Sequence, residues 1–219
     1  IVASLVGSEM CIRDSYMGHG ILDYDFTKLR EEKRITWANN QPQAEEFAKE
    51  QDKLGLKGFH NKYYRILESY PELRDLITYN FNLFCENTLG SIRAKISTSW
   101  ITYMTEGERN FRHRHSNCFY SGVLYFDEKY GKDSAKLELE NPIGDILETI
   151  VPKQYNPKGN NKSQDNIQVE PETGVFIFFP STIRHGTDLH VGDPRRSLAF
   201  NFVLDTPIWA FDSTYNPEW

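Results

Sequence analysis

Three features that this sequence lacks narrow the class of protein. Its 219 residues include only three cysteines, Cys11, Cys85 and Cys118, without CxxC spacing, so we expect neither a disulfide framework nor a thiolate zinc site. We therefore expect a reducing, cytoplasmic location. No apolar run approaches the roughly 18 to 20 residues that cross a bilayer. Basic residues number 25 against 31 acidic ones, and the net charge of -6 argues against nucleic-acid or membrane partners.

Two segments lack a pattern of regular structure. Residues 5–15, within the opening run IVASLVGSEMCIRDS, resemble the translation of a sequencing adapter, so we interpret residues 1–15 as an artefact that lies outside the fold. Met17 is then one candidate for the natural start. Residues 156–166, NPKGNNKSQDN, have no apolar anchor and are predicted to form a mobile loop.

From about residue 40 to residue 88 the sequence shows helical periodicity. Apolar side chains recur at three- and four-residue spacing over residues 42–54, after Pro42. A second helix is predicted from Ser69-Tyr70-Pro71-Glu72, which has the spacing of a capping box with proline in the first turn. Its buried face is predicted to comprise Leu73, Ile77, Phe81 and Phe84. We therefore interpret residues 16–88 as a helical N-terminal part that covers a sheet.

After Gly90 the apolar period changes to two, which is typical of strands. The first strand is predicted to bury one face that consists of Ile92, Ala94, Ile96, Thr98 and Trp100. Further strands are predicted at residues 119–126, 136–140, 175–179 and 197–204. Helices followed by strands indicate an α+β, mainly β fold, with residues 89–219 as an antiparallel sandwich or barrel.

Three of the six histidines form a suggestive pattern. His113 and His115 are two residues apart, so in an extended segment both imidazoles project from one face, roughly 6.6 Å apart, and could chelate one metal ion. An isolated pair of this kind is equally often a polar strand edge. His185 follows a strongly apolar strand and could meet the pair inside an antiparallel barrel. The remaining histidines are predicted to lie on the surface or in loops: His19, His60 and His190.

The strand after His185 alternates between a polar and an apolar face. The polar face, small enough to line a cavity, comprises Arg195, Ser197, Ala199 and Asn201. The other face comprises Arg196, Leu198, Phe200 and Phe202, and its rings suit packing beneath helices. Arg195 is therefore predicted to line a cavity, and Arg196 to be a rim or surface charge.

The motifs between residues 100 and 201 occur in a distinctive order. They are Trp100, His113-Arg114-His115-Ser116-Asn117, Ser121-Gly122-Val123-Leu124-Tyr125, Phe179-Pro180-Ser181 with His185, and Arg195 with Ser197, Phe200 and Asn201. Together they resemble the family of 2-oxoglutarate- and Fe(II)-dependent oxygenases common in marine bacteria and cyanophages. The resemblance implies a double-stranded β-helix, or jelly roll, with the N-terminal helices packed on one sheet. It also implies Fe(II), 2-oxoglutarate as co-substrate, and a hydroxylase-type oxidation that releases succinate and CO2.

The resemblance also implies roles for individual residues. His113, His115 and His185 would be the metal ligands, and no catalytic residue beyond them is expected. Arg195 would anchor the distal carboxylate of 2-oxoglutarate, because a planar guanidinium binds a carboxylate bidentately. Tyr125 and Ser197 would make secondary contacts with the co-substrate. The prime substrate would be a small molecule or a peptide; no motif identifies it, and none indicates the oligomeric state.

One position departs from the wider superfamily, in which the third ligand is usually a carboxylate. Here His115 occupies that place, and Asp127 and Asp188 are the nearest carboxylates that could replace it as ligand. If they are not ligands, Asp127 is expected to be a strand-end residue and Asp188 a turn residue. Two further functions stay open, a cupin-like three-histidine metal dioxygenase or isomerase and a non-catalytic jelly-roll binding module. Arg195 argues against the first, and the intact histidine spacing argues against the second.

Overall fold

The computed structural model describes residues 17–37, 64–90, 92–142 and 166–205, which are mainly β with few helices. The elements are β1 (Gly18–Ile21), α1 (Thr27–Arg30), β2 (Ile35–Trp37), a 3₁₀ helix (Ile66–Ser69), α2 (Pro71–Thr88), β3 (Ala94–Met104), β4 (Tyr120–Leu124), β5 (Leu137–Leu139), β6 (Ile167–Val169), β7 (Val175–Pro180), β8 (His185–Thr187) and β9 (Arg195–Leu204). Among these residues, no helix has the length and apolar character needed to cross a membrane.

The strands form two sheets. The larger has the order β1-β7-β4-β9-β3-β2, and the smaller has the order β6-β5-β8. The strand pairs are antiparallel except for β2 and β3, which run parallel. Residues 108–113 run beside β8 and continue the smaller sheet, with backbone hydrogen bonds at His113, Asn110 and Glu108. The predicted antiparallel β architecture is therefore present as two sheets.

Helix α2 packs on one face of the larger sheet. Its predicted buried face is confirmed, because Leu73, Ile77 and Phe81 are each at most 1% exposed and Phe84 is 5% exposed. The Phe81 ring stacks on Phe202 of β9 at a centroid distance of 3.9 Å. Pro71 opens the helix as predicted, but the capping box does not form. Ser69 belongs to the 3₁₀ helix, and the residue before the helix, Tyr70, makes no side-chain cap.

The opposite face of the larger sheet meets the smaller sheet. Leu137 and Leu139 of β5 pack with Ile177 and Phe179 of β7 in a second apolar cluster, which also includes Ile183. The larger sheet is therefore covered on both sides, by α2 on one and by the smaller sheet on the other.

The predicted buried face of β3 is wrong beyond residue 96. The strand pairs with β9 through Ile96 and Phe202 and then through Thr98 and Asn201, so Ser97 is an extra residue in a β-bulge. A bulge shifts the alternation of side chains by one. As a result Ala94 and Ile96 pack towards α2, whereas Thr98 and Trp100 face the smaller sheet.

The N-terminal part contributes strands as well as helices. Strands β1 and β2, of four and three residues, join opposite edges of the larger sheet and were not predicted. The helix predicted at residues 42–54 and the interpretation of residues 1–15 concern residues outside those described. The same holds for His60 and for the loop at residues 156–166 except Asn166. The division at residue 88 stays a prediction.

His190 lies in a loop, as one of the two predicted alternatives had it, but it is not at the surface. This side chain is fully buried, its Nδ1 accepts a hydrogen bond from the Ala135 N–H at 3.2 Å, and its Nε2 donates to the Asp193 carbonyl at 2.8 Å. Both ring nitrogens thus form hydrogen bonds that connect neighbouring loops. A position in a loop therefore did not make this side chain exposed. His19, in contrast, is exposed on β1 as expected.

Candidate metal centre

The structure brings His113, His115 and His185 together. Each offers one ring nitrogen, and the three atoms lie within 4.8 Å of one another. His113 and His185 lie opposite each other and exchange backbone N–H to carbonyl hydrogen bonds of 2.9 and 2.8 Å. His115, two residues along, donates its N–H to the Ser181 carbonyl at 3.0 Å. The early pair and the late histidine therefore converge, as their order in the sequence suggested.

A glycine permits this convergence. A Cβ atom on Gly186, next to His185, would lie 2.6 Å from the Asn110 carbonyl oxygen and 3.1 Å from the Arg112 nitrogen. Both contacts are with backbone, which cannot rotate away as a side chain could. Glycine is therefore required where the segment that carries His113 crosses β8.

Each of the three imidazoles is oriented by an acceptor on its Nδ1 atom. His113 Nδ1 donates to the Phe111 carbonyl at 2.7 Å, and His185 Nδ1 donates to the Ile183 carbonyl at 2.9 Å. His115 Nδ1 donates to Asn201 Oδ1 at 2.7 Å, and Ser121 Oγ donates to the same amide oxygen at 2.8 Å. Because each proton is on Nδ1, each Nε2 lone pair is left for another partner.

The Nε2 atoms of His113 and His115 are 3.1 Å apart. Two lone pairs at this distance repel each other unless a cation lies between them. Two ligand nitrogens about 2.1 Å from one metal ion and at right angles to each other would be about 3.0 Å apart. The spacing and the donor set of the cluster therefore fit a metal ion.

Burial keeps two of the rings neutral. It lowers the pKa of His185 to about 3, with smaller contributions from His113 and His115. Burial and the neighbouring His113 also lower the pKa of His115, although the hydrogen bond to Asn201 opposes the shift. A neutral imidazole is the form that binds a metal, so protons do not compete with a metal here near neutral pH.

A cavity of about 260 Å³, the first cavity, adjoins the histidines and is lined by Arg195. Arg195 is only 4% exposed, and its Nε has no hydrogen-bond partner in the part of the chain that the structure describes. Its guanidinium lies 5.6 Å from the ring centre of Tyr125, and no carboxylate in the described ranges pairs with it. A buried guanidinium without an anion is unfavourable, so this end of the cavity is suited to an anionic ligand.

The other two residues predicted at the site line the same cavity. Tyr125 is 1% exposed and Ser197 is 7% exposed. Burial raises the pKa of Tyr125, which therefore keeps its hydroxyl proton near neutral pH and remains a hydrogen-bond donor. The sequence-predicted set thus occupies one continuous region of the structure.

Asp127 and Asp188 do not join the histidine cluster. The Asp127 carboxylate accepts three hydrogen bonds from Arg196: from Nε at 2.9 Å, from Nη2 at 2.8 Å and from the Arg196 backbone N–H at 2.6 Å. Arg196 also donates to the Arg30 carbonyl. Arg196 is thus a half-buried residue in a bonded network, and its prediction as a rim or surface charge is wrong. Asp188 accepts from the Lys136 N–H at 2.5 Å.

Thr36 was not predicted from the sequence; it also lines the first cavity, and its buried hydroxyl has no hydrogen-bond partner among the described residues. Thr36 lies opposite Thr102, which in turn lies opposite Ser197, so three hydroxyl residues form one row across β2, β3 and β9. Nothing in a three-residue strand indicates this position, because the parallel pairing of β2 with β3 creates it. Trp100, 5.8 Å from the His115 ring centre, and Asn201 were part of the motif but had no assigned role.

The family model described as "Putative 2OG-Fe(II) oxygenase" matches residues 98–201. Comparison with curated proteins finds no match. Among solved structures, a 2OG-Fe(II) oxygenase family oxidoreductase from Burkholderia pseudomallei is similar at 14% identity and a TM-score of 0.45, over 62% of this chain and 57% of that one. A prolyl-4-hydroxylase from Pseudomonas putida is similar at 17% identity and a TM-score of 0.43, over 62% of this chain and 66% of that one. Each match thus spans less than two thirds of this chain and less than two thirds of the solved protein.

The family match includes the three clustered histidines and Arg195, which the structure places around one cavity. Residues 98–201 of this chain are therefore similar to the 2OG-Fe(II) oxygenase family, over a little under half of the chain.

Proposed function

We propose that this protein is an Fe(II)- and 2-oxoglutarate-dependent oxygenase that carries out a hydroxylase-type oxidation and releases succinate and CO2. The observation that carries the proposal is that three converging imidazoles and an unpaired, buried arginine line one cavity. Three protein ligands on one face of an iron ion leave positions for co-substrate and dioxygen. The arginine supplies the charge that a dicarboxylate co-substrate requires.

His113, His115 and His185 would hold the iron through their Nε2 atoms. The Phe111 and Ile183 carbonyls and the Asn201 amide would keep the rings in place, since acceptors on the second nitrogen orient metal-bound histidines. When bound, Fe(II) with 2-oxoglutarate and dioxygen supplies the oxidising chemistry. The chain itself positions the groups and excludes water.

Arg195 would bind the distal carboxylate of 2-oxoglutarate. Its burial strengthens a charge-assisted hydrogen bond, because little water competes for either partner. Ser197 follows on the same face of β9, and the protonated Tyr125 lies beside the guanidinium, so both can donate hydrogen bonds to the same carboxylate. The roles of these three residues are part of the proposal.

We further propose that the two sheets form a double-stranded β-helix. Two observations support this fold. The smaller sheet, extended by residues 108–113, packs against the larger one through the apolar cluster around Phe179. The first cavity is lined from both sheets, by Trp100 and Arg195 on one and by His185 on the other. Helix α2 covers the outer face of the larger sheet.

Anaerobic titration with Fe(II) and 2-oxoglutarate tests the proposed function. We expect one iron per chain and a visible absorption band that requires both iron and 2-oxoglutarate. Arg195→Met should retain iron but lose the band at 2-oxoglutarate concentrations that saturate the unaltered protein. Iron binding with no detectable binding of 2-oxoglutarate at any concentration would contradict the proposal.

A three-histidine metal dioxygenase that does not use 2-oxoglutarate is the second candidate. It is favoured by the absence of a carboxylate from the cluster in the described part of the chain. The same titration separates the two functions, because this candidate predicts bound iron and no absorption change with 2-oxoglutarate. A non-catalytic binding module predicts that neither ligand binds.

A further inference from the structure

A second cavity, of about 540 Å³, adjoins the first at Trp100 and His115, which line both. Along β3, Thr102 and Trp100 line the first cavity, and Trp100 and Thr98 line the second. The second cavity therefore lies further along the strand, towards Asn201 and away from Arg195. All three histidines line the first cavity, and His115 alone of the three also lines the second.

The second cavity offers a cation and an aromatic wall. Arg114, between two of the clustered histidines, lines it and makes no hydrogen bond or ion pair within the described residues. The rings of Tyr64 and Trp100 also line it, with centroids 5.9 Å apart and planes tilted by 57°. Among the described residues that line either cavity, the formally charged side chains are Arg114 and Arg195, and none is a carboxylate.

Three neutral ligands leave this site with an excess of positive charge. A carboxylate in the third ligand position would offset one charge of a divalent metal ion, but His115 cannot do so. The two negative charges of 2-oxoglutarate balance the metal ion, and the positive charges of Arg195 and Arg114 then remain. A third ligand with a negative charge would offset part of this excess, so it would be attracted to the site.

We propose that the second cavity binds the prime substrate and that this substrate is a carboxylate with a planar, aromatic body. This inference rests on the proposed function. Its carboxylate pairs with Arg114, and its ring packs against Tyr64 and Trp100, since aromatic side chains stabilise flat apolar groups. The arrangement favours an anionic substrate over a cationic one, such as a lysine side chain, because the charged side chains among the described lining residues are both arginines.

The test uses benzoate and benzamide, which share a shape and differ in charge. The full chain is loaded with Zn²⁺, which is redox-inert, and saturated with 2-oxoglutarate so that Arg195 is occupied. Calorimetric titration should show that benzoate binds about 2- to 5-fold more tightly than benzamide, because Arg114 is exposed and water screens its charge. Arg114→Gln should abolish this difference. The control Arg184→Gln, which removes an exposed arginine that lines neither cavity, should leave it unchanged.

Equal binding of the two compounds, or a preference for benzoate that survives Arg114→Gln, would overturn the assignment. Acetate, which lacks the ring, should bind at least about tenfold more weakly than benzoate, and equal binding would overturn the role of the aromatic wall. Failure of 2-oxoglutarate to bind the zinc-loaded protein in the first step would instead contradict the proposed function. The two failures are therefore distinct.

Discussion

The two faces of the larger sheet differ in whether their buried side chains find packing or hydrogen-bond partners within the described part of the protein. On the face towards α2, β9 contributes rings and an aliphatic side chain that are fully buried against other apolar groups: Leu198, Phe200 and Phe202. On the opposite face the same strand contributes Arg195, Ser197, Ala199 and Asn201. Three buried side-chain polar atoms among the described residues lack a partner, and two of them, on Thr36 and Arg195, line the first cavity.

This difference separates stability from function within single strands. Buried polar groups are normally hydrogen-bonded, so the unpartnered atoms indicate that the cavity face is complete only with a ligand. Substitutions on the α2 face should therefore lower the free energy of unfolding and leave ligand affinity unchanged. Substitutions on the cavity face should lower ligand affinity and leave the free energy of unfolding unchanged. The following variants test this separation.

The largest effect is expected for Phe81→Ala, on the α2 face. Phe81 contacts Phe202, Phe178 and Tyr120, with ring centroids 3.9, 5.2 and 5.2 Å away. Truncating a fully buried phenylalanine typically lowers the free energy of unfolding by about 3 to 5 kcal/mol. Urea denaturation measures this loss, and Phe81→Leu should lose less. A large fall in metal affinity of the folded variant would show that the two faces are coupled.

Two buried histidines offer the next comparison. His185→Ala should reduce metal affinity by about 100-fold or more, since even residues behind the ligands contribute 10- to 100-fold. His190→Ala should retain the metal and lower the free energy of unfolding of the metal-free protein by about 1 to 3 kcal/mol, because it leaves the buried Ala135 N–H without an acceptor. Metal titration and denaturation of both variants test these roles. If His190→Ala lost the metal and His185→Ala retained it, the assignment of His185 as a ligand would be contradicted.

Long amphipathic elements could be predicted from the sequence, whereas among the strands of three or four residues only β5, within the predicted strand at residues 136–140, was anticipated. Helix α2 and strands β3, β4, β7 and β9 carry enough residues for a period to be recognised. Strands β1, β2, β6 and β8 have three or four residues each, and their pairing depends on distant parts of the chain. The bulge at Ser97 has no indication in the sequence, so the orientation of Trp100 was predicted wrongly.

The candidate site, like the fold, could be predicted from the sequence only in part. The histidines and Arg195 could be found because each lies at a fixed position within a strand pattern that resembles a known family. Thr36 could not be found, because a tertiary contact between parallel strands brings it to the cavity. His190 lies in a loop as predicted, but nothing in the sequence indicated its buried structural role.

A matched pair of neighbouring arginines gives the third comparison. Arg195→Met should weaken 2-oxoglutarate binding by about 10- to 150-fold, the loss expected for a charge-assisted contact, with little change in the free energy of unfolding. Arg196→Met should leave that affinity unchanged and lower the free energy of unfolding by about 1 to 3 kcal/mol, since it removes the partner of the buried Asp127 carboxylate. Equal effects on affinity would contradict the observed register of β9.

The smallest and sharpest comparison concerns the unpartnered hydroxyl of Thr36. Thr36→Val replaces the hydroxyl by a methyl group of similar size, so the free energy of unfolding of the metal-free protein should stay the same or rise by up to about 1 kcal/mol. If a bound ligand provides the missing partner, the same change should weaken 2-oxoglutarate binding to the metal-loaded protein by about 2- to 10-fold, the usual contribution of one hydrogen bond. Thr36→Ser, which keeps the hydroxyl, should bind like the unaltered protein. A loss of stability in Thr36→Val with unchanged 2-oxoglutarate affinity would instead place the hydroxyl among the structural groups of the fold.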